Sequence, residues 1–233
     1  MDSRFWVIVP AAGSARRMGS AVPKQYLSLV GRTVIEWSLA PFLEHEQVAA
    51  VVVVLAELDR RWPQLDIARH GKVMTAMGGA ERMDSVLAGL KALEGHAAAS
   101  DWVLVHDAAR PCLQAVDLDR LTGQLREDEV GGLLAAPVVD TLKRADDGER
   151  VAQTVSREKL WRALTPQMFR RDVLQRALQD AMAKGVAVTD EAQAVEALGL
   201  RPKLIAGDAD NIKVTLPEDL LRAERILRSR GVK

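Results

Sequence analysis

Short apolar runs alternate with amphipathic stretches along most of the chain. The apolar runs are continuous, as in FWVIVP, AAVVVVLA, DWVLVHDAA and GGLLAAPVV. The stretches between them repeat apolar residues at helical spacing, as in TVIEWSLAPFLEH, RMDSVLAGLKALEG and DLDRLTGQLRE. Continuous apolar strands separated by amphipathic helices are typical of a sheet that is buried on both faces. The pattern therefore predicts an α/β fold, with a mostly parallel sheet flanked by helices and ligands at the carboxyl ends of its strands.

The segment from Asp140 to Gln167 interrupts this alternation. Its turn signal, Asp146-Asp147-Gly148, lies between two polar, threonine-containing stretches, which indicates a hairpin with both faces in water. Such a hairpin is seldom stable alone, so we expect an extended β-arm at 140–167 that a partner chain covers. The helical pattern resumes after it, and we predict one domain over residues 1–233 that includes the arm.

Composition narrows the class of protein. The chain has 233 residues, and its 32 Lys and Arg residues balance its 32 Asp and Glu residues. The chain has no net charge that would attract nucleic acid or an anionic membrane, so phosphate binding must come from local clusters of charge. The longest apolar run, Val48 to Ala56, is too short to cross a bilayer, and one cysteine, Cys112, fits a reducing compartment. We expect a cytoplasmic protein with no nucleic-acid and no membrane partner.

The loop after the first predicted strand carries the first candidate chemistry, in VPAAGSARRMGSAVPKQY. Glycine lets backbone N–H groups approach an anion, and arginine and lysine add charge, so a polyphosphate would fit this loop. The spacing of Gly13 and Gly19 excludes the dinucleotide fingerprint and the Walker A loop. In the nucleotide-binding interpretation Arg17 and Lys24 reach the phosphates. The alternative is a surface turn with solvated charges.

Two further strand ends carry candidate residues. A glycine pair in GGAER precedes the helix with Ser85; it permits close approach to a flat base, and an ordinary strand-to-helix turn is the alternative. Asp107 in VHDAARP follows a strand at the position from which a carboxylate can hold Mg²⁺ on a triphosphate. His106 is better interpreted as a packed residue, because transfer from an ionised phosphate needs no base. Arg110 is a candidate for substrate phosphate, with a solvated arginine as the alternative.

Seven stretches, in order along the chain, carry a family resemblance: VPAAGSARRMGSAVPKQYL, GGAERMDSVLAGL, VLVHDAARP, PVVDTLKR, TVSREKLWRALTPQ, VTDEA and DNIKVTLPEDL. Through them the chain resembles the 2-C-methyl-D-erythritol 4-phosphate cytidylyltransferases of the non-mevalonate isoprenoid pathway. The resemblance implies a Rossmann-like nucleotidyltransferase fold, Mg²⁺ as cofactor, and CTP and a polyol phosphate as substrates. It also implies a homodimer through the β-arm, whose Thr and Arg residues close over the neighbour's sugar-phosphate site.

The same resemblance implies roles for individual residues. The catalytic set is Arg17, Lys24, Arg157 and Lys213. The nucleotide-binding set is Pro10, Ala11, Ala12, Gly13, Gly79, Ala80, Ser85 and Asp107, of which Asp107 is also the metal ligand. The substrate-binding set is Arg110, Thr141, Arg157, Thr165, Thr189, Asp210 and Lys213.

The chain departs from the family pattern at two positions. Many relatives carry an acidic residue where this chain has Ala80, and relatives often have one where Ser156 stands. Two alternatives remain: a cytidylyltransferase acting on another polyol phosphate, such as ribitol 5-phosphate, and a CTP-sensing module without turnover.

Overall fold

A seven-stranded sheet forms the centre of the molecule in the computed structural model, which describes residues 4–13 and 22–232. The strands are β1 (Phe5–Pro10), β2 (Ser28–Leu29), β3 (Arg32–Thr33), β4 (Val48–Leu55), β5 (Val73–Met77), β6 (Trp102–Val105), β7 (Gly131–Pro137), β8 (Leu142–Ala145), β9 (Val151–Val155), β10 (Trp161–Arg170) and β11 (Lys203–Ala206). The helices are α1 (Val34–Glu44), α2 (Arg82–Ala92), α3 (Ala115–Leu125), α4 (Arg171–Ala183), α5 (Glu191–Ala197) and α6 (Pro217–Ser229).

The main sheet has the order β11-β7-β10-β6-β1-β4-β5. Strand β10 runs antiparallel to both of its neighbours, and the other adjacent pairs are parallel. The prediction of a mostly parallel α/β sheet is therefore confirmed. Because the central strands are parallel, their carboxyl ends meet at one edge, and the loops that follow them share that edge.

Both faces of the sheet are covered by helices. Val7 and Val9 of β1 belong to a core with side chains of α1 and α3, whereas Ile8 belongs to a second core with side chains of α2 and α4. Successive strand residues point to opposite faces, so burial of both faces requires an apolar residue at every position. This requirement explains the continuous apolar runs in the sequence.

Local sequence signals fix several element boundaries. Helix α1 begins with a capping box: the amide of Glu36 donates to the Thr33 hydroxyl at 3.4 Å, and the Thr33 amide donates to the Glu36 carboxylate at 2.7 Å. Asp190 caps the start of helix α5, because its carboxylate accepts a hydrogen bond from the Gln193 amide at 2.9 Å. No helix among residues 4–13 and 22–232 has the length and apolar character needed to cross a bilayer.

The polar hairpin is present, although it is shorter than the predicted arm. Strands β8 and β9 pair with each other as a separate two-stranded sheet, and the Asp146 carboxylate closes their turn by accepting from the amides of Gly148 and Arg150. The remainder of the predicted arm enters β10, which pairs with β6 and β7. Thr165 and Gln167 therefore belong to the main sheet, because the apolar side chains around them are buried in its cores.

Strand β7 begins with two glycines whose backbone approaches its neighbours closely. Gly131 has a φ of 103°, in the region that favours glycine. A Cβ atom on Gly132 would overlap the backbone carbonyl of Lys203 in β11. The glycine pair therefore permits the pairing of β7 with its two neighbours.

Two glycine-to-alanine substitutions should have opposite effects on stability. Gly132→Ala should lower the free energy of unfolding by roughly 1–3 kcal/mol, because its methyl group meets backbone that has no room to move. Gly123→Ala should raise it by about 0.5–1 kcal/mol, since Gly123 lies inside α3 with open space around it. Urea unfolding followed by circular dichroism measures both, and effects of the same sign would contradict this account of β7.

Candidate active site

A cleft opens at the edge where β1, β5 and β6 end. Three of its walls follow these strands directly, and a fourth comes from the loop before α6. The lining residues are Pro10, Ala11, Ala12, Gly13, Lys24, Gln25, Gly79, Ala80, Glu81, Arg82, Ser85, Asp107, Ala108, Ala109 and Lys213. The structure thus brings together the predicted nucleotide-binding residues and two of the predicted catalytic ones. Arg17 lies outside the described residues.

Glycine allows two walls of the cleft to pack together. A Cβ atom on Gly78 would lie 2.6 Å from the Ala12 Cβ and 2.8 Å from the Ser85 Oγ, which is too close for either contact. A Cβ on Gly79 would overlap the Asp84 side chain. The glycine pair is therefore required where the loop after β5 meets the loop after β1 and helix α2, and Gly79 lines the cleft as well.

A buried glutamine supports the wall after β1. The Gln25 side-chain amide donates to the Ala11 carbonyl at 2.7 Å, and the Ala11 amide donates to the Val54 carbonyl at 2.7 Å. Gln25 and Lys24 share a short 3-10 turn, Lys24–Tyr26, so this bond fixes the backbone that carries Lys24. Gln25 was not among the site residues predicted from the sequence.

Asp107 stands at the centre of the site with three cations around it. The Lys213 Nζ and the Arg110 Nε lie 3.0 and 3.2 Å from its Oδ2, and the Arg82 Nε lies 3.4 Å from its Oδ1. The residue is only 8% exposed. Burial raises the pKa of this carboxyl, but Lys213, Arg82 and Arg110 outweigh burial and hold the pKa well below its usual range. Asp107 is therefore ionised at neutral pH.

Backbone contacts bring two of these cations to Asp107. The Arg110 amide donates to the Asp107 carbonyl at 3.0 Å in the turn after β6, and the Arg110 Nη1 donates to the Asn211 carbonyl at 2.7 Å. The Val214 amide donates to the Ala109 carbonyl at 2.8 Å, which docks the loop carrying Lys213. The predicted proximity of Arg110 to the strand edge is thus explained by a turn that several contacts hold in place.

A chain of hydrogen bonds behind Asp107 determines the tautomer of His106. The Thr165 hydroxyl oxygen accepts a hydrogen bond from the Asp107 amide at 3.2 Å. The hydroxyl hydrogen is therefore donated to the His106 Nδ1, at 2.9 Å. The His106 Nε2 then carries a hydrogen and donates to the Arg110 carbonyl at 3.2 Å, a tautomer assigned from this network. Burial lowers the pKa of His106 to about 4. His106 is a neutral, packed residue, in agreement with its interpretation from sequence.

Thr165, a predicted substrate-binding residue, lies behind Asp107 and is absent from the lining of the cleft. Its side chain is 4% exposed, and its hydroxyl is used by Asp107 and His106. Its carbonyl accepts from the Asn211 side-chain amide at 2.7 Å. In the described structure Thr165 positions Asp107 from behind, and its hydroxyl does not face the cleft.

Arg82 and Glu191 form an ion pair that the sequence analysis missed. The Arg82 Nη2 lies 3.0 Å from the Glu191 Oε2, and its Nη1 pairs with the Oε1. Glu191 is fully buried. Burial lowers the pKa of Arg82, but Glu191 and Asp107 outweigh it and raise the pKa above its ordinary value. Both residues lie inside the matched stretches GGAER and VTDEA, and that membership was the available signal.

Four more predicted substrate residues, in addition to Arg110 and Thr165, are absent from the lining of this cleft. Thr141 and Arg157 belong to the arm segment, where the Arg157 guanidinium donates to the Val139 carbonyl. Thr189 is exposed, and its amide and hydroxyl donate to the Gln193 side-chain oxygen at 2.6 and 3.0 Å. Asp210 is exposed in the loop that leads to Lys213.

The side chains at the cleft suit a metal ion that takes most of its ligands from a bound substrate and from water. Among residues 4–13 and 22–232, no group of three or more His, Cys, Asp or Glu side chains could hold a metal. Asp107 supplies an ionised carboxylate at the cleft, and among the described residues its Oδ1 has one long ion-pair contact, to the Arg82 Nε. Mg²⁺ commonly binds through one or two carboxylates together with substrate phosphates and water. The residues present therefore fit Mg²⁺ bound jointly with a polyphosphate.

Comparison with known proteins gives consistent matches. The family profile described as 2-C-methyl-D-erythritol 4-phosphate cytidylyltransferase matches residues 5–229. A protein of that name from Pseudomonas aeruginosa (strain UCBPP-PA14) is 59% identical over 222 residues, 95% of each chain. One from Azoarcus sp. (strain BH72) is 54% identical over 229 residues, 97% of this chain and 95% of that protein.

Solved structures agree with these relatives. The Francisella tularensis 2-C-methyl-D-erythritol 4-phosphate cytidylyltransferase is 31% identical, with a TM-score of 0.84 over 97% of this chain and 100% of that one. The Thermus thermophilus enzyme of the same name is 34% identical, with a TM-score of 0.78 over 98% of this chain and 100% of that one. The predicted nucleotidyltransferase fold is thereby confirmed.

Stability should depend on pH through His106. Its pKa of about 4 lies below the ordinary value of 6.5, so the unfolded chain takes up a proton first as the pH falls. The neutral form therefore contributes stability that is fully present above about pH 6.5, and up to roughly 3 kcal/mol of it is lost between pH 6.5 and 4. Urea unfolding at several pH values should show a smaller loss for His106→Gln than for the wild type. The exposed His70→Gln serves as control, and identical pH slopes for all three proteins would contradict the assignment.

Proposed function

The chain belongs to the 2-C-methyl-D-erythritol 4-phosphate cytidylyltransferase family, and we propose that it joins CTP to 2-C-methyl-D-erythritol 4-phosphate, a step of isoprenoid precursor biosynthesis. The products are 4-diphosphocytidyl-2-C-methyl-D-erythritol and pyrophosphate. The observation that carries the proposal is the cleft itself. Lys24 lines it, and Arg82, Arg110 and Lys213 surround one buried carboxylate at the sheet edge. The buried, disulfide-free Cys112 supports a cytoplasmic setting.

Charge is the central difficulty of this reaction. A phosphate monoester oxygen forms a bond to the α-phosphorus of CTP, while the bond from that phosphorus to the oxygen of the departing pyrophosphate breaks. Both reactants are anionic, so the protein must offset repulsion and the charge that develops during transfer. The attacking oxygen is already deprotonated, and the buried, neutral His106 is not required as a base.

The nucleotide is proposed to lie against the loops that follow β1 and β5. Ala11 and Ala12 offer small side chains, and Gly79 and Ala80 offer backbone groups to a base. The Ser85 hydroxyl faces the same cleft and donates to the Glu81 carbonyl at a long 3.3 Å, a contact that a base could replace. Because residue 80 is alanine here, recognition at this position would use the backbone.

Lys24 and Lys213 are proposed to act on opposite reactants. Lys24, together with Arg17, would bind the phosphates of CTP. The Lys213 side chain is 39% exposed and holds Asp107 through one atom, so it can turn to the phosphate of the second substrate. Arg110 is only 11% exposed and is tied to the Asn211 carbonyl, so it would stay with Asp107.

Asp107 is the residue that would hold Mg²⁺ together with CTP. When bound, Mg²⁺ offsets triphosphate charge and favours departure of pyrophosphate. The three cations around Asp107 oppose the approach of a metal ion alone. Binding of the metal with an anionic nucleotide removes this penalty, so we propose that the two bind together.

The arm is proposed to join two copies of the chain. Val139, Val151 and Trp161 are exposed apolar side chains on or beside it, and a partner would cover them. Thr141 and Arg157 would then reach the partner's cleft, while Thr189 and Asp210 would contact the polyol at their own. A homodimer with shared sites would account for the position of both arm residues.

Replacing the cleft lysines should affect turnover more than nucleotide binding. Lys24→Ala and Lys213→Ala should each lower kcat by about 10²-fold or more in a pyrophosphate-release assay, because contacts that strengthen in the transition state appear in kcat. Lys184→Ala, at a surface pair with Asp180, is the matched control.

The wild-type protein should prefer CTP over ATP, GTP and UTP, and the methylerythritol phosphate over ribitol 5-phosphate. Absence of pyrophosphate release from the wild type with every pair of substrates would disprove the proposed reaction.

Mixed dimers test whether Arg157 acts in the partner's site. Lys24→Ala and Arg157→Ala chains, each inactive alone, should regain activity after co-refolding, because both lesions fall in one site and the other site is native. With random pairing, about half of the dimers are mixed and roughly a quarter of all sites are restored. No recovery, with mixed dimers verified by mass spectrometry, would show that Arg157 works within its own chain.

A further inference from the structure

Arg82 connects two buried carboxylates, only one of which belongs to the cleft. Its two terminal nitrogens are both used by Glu191, with the Nη2 3.0 Å from the Oε2. Its remaining nitrogen, Nε, lies 3.4 Å from the Asp107 Oδ1. The guanidinium is planar and rigid, so fixing two nitrogens also fixes the direction of the third.

Glu191 is itself held firmly by its surroundings. It is the first residue of α5 and is fully buried. The Gln167 side chain in β10 accepts from the Ala192 amide at 2.8 Å and donates to the Asp190 carboxylate at 3.0 Å. These two bonds clamp the start of α5 to the main sheet, so Glu191 offers Arg82 a stationary anchor.

The pair with Glu191 limits what Arg82 can do at Asp107. A free arginine beside a carboxylate tends to form two parallel hydrogen bonds to it. With both terminal nitrogens on Glu191, Arg82 contributes one long contact to Oδ1, while Arg110 and Lys213 contact Oδ2. In the described part of the chain, Arg82 is the cation paired with Oδ1, and the carboxylate is thus oriented from both of its oxygens.

We propose that Glu191 and Arg82 are positioning residues for Asp107: Glu191 anchors the guanidinium, and the guanidinium orients the carboxylate while leaving Oδ1 open to an incoming ligand. The proposal rests on the function proposed above, in which Asp107 receives Mg²⁺ with CTP. Glu191 then acts from outside the cleft. The orientation of Asp107 would persist when Lys213 turns to the second substrate.

Exchanging the charged pair for a neutral one separates positioning from stability. Arg82→Gln and Glu191→Gln each leave a buried charge without its partner, so each single variant should be less stable in urea unfolding. The double variant should recover much of the lost stability, because two amides can hydrogen-bond to each other with no charge to desolvate. It still lacks the cation that orients Asp107.

Calorimetry provides the readout that stability alone would not change. The ratio of the CTP dissociation constants in EDTA and in Mg²⁺ should fall about tenfold in both single variants and remain equally low in the double variant. Glu191→Asp, which keeps the charge but shortens the side chain, should give an intermediate ratio. Asp101→Asn is the control: it removes a carboxylate bonded to the Trp6 indole at the other end of β6 and should lower stability without changing the ratio.

Two outcomes separate the possible failures. A double variant with the wild-type ratio would overturn the positioning role, because Glu191 and Arg82 would then serve stability alone. A wild-type protein whose affinity for CTP does not depend on Mg²⁺ would overturn the metal role of Asp107 and this proposal with it. In the second case the pyrophosphate-release assay still decides whether the chain transfers a cytidylyl group.

Discussion

The buried negative charge of Asp107 is the constraint on which the site depends. A carboxylate that is 8% exposed would be neutral or destabilising without compensation, and three cations supply that compensation. Each of them comes from a different loop or helix, so the charge of one residue links three distant parts of the chain. One of these cations, Lys213, is also the one proposed to turn to the phosphate of the second substrate.

The site contains two kinds of cation. Arg82 and Arg110 are tied to Glu191 and to the Asn211 carbonyl, whereas Lys213 is more exposed and touches Asp107 through a single nitrogen. A rigid guanidinium suits the first role, and a flexible ammonium on a long stem suits the second. Arginine and lysine are therefore not interchangeable here: one kind maintains the carboxylate, and the other is able to exchange partners.

Polar residues behind the cleft show that a sequence motif can contain residues whose role is structural. Thr165 and His106 never reach the cleft, yet they hold the Asp107 amide and the Arg110 carbonyl through one continuous chain of hydrogen bonds. Satisfied buried networks of this kind fix a single geometry, because each member left unpaired would be costly. Glu191 acts in the same way through Arg82. The same short stretches of sequence therefore supply both the polar residues that line the cleft and the polar residues that hold them in place.

The sequence by itself determined the layered fold, the polar hairpin and the loops that carry the site. Continuous apolar strands require two covered faces, and the carboxyl ends of parallel strands must share an edge. Local patterns therefore predicted site loops at the ends of strands, and the family resemblance assigned Ala12, Gly79 and Asp107 to one nucleotide site. Only the tertiary structure decided which polar side chains face the cleft. Thr165 is buried because β10 lies between β6 and β7. Glu191 pairs with Arg82 because a hydrogen bond holds the start of α5 against β10. These pairings join residues that are 58 and 109 positions apart in the chain. They depend on burial and on side-chain direction, and neither is encoded in local spacing.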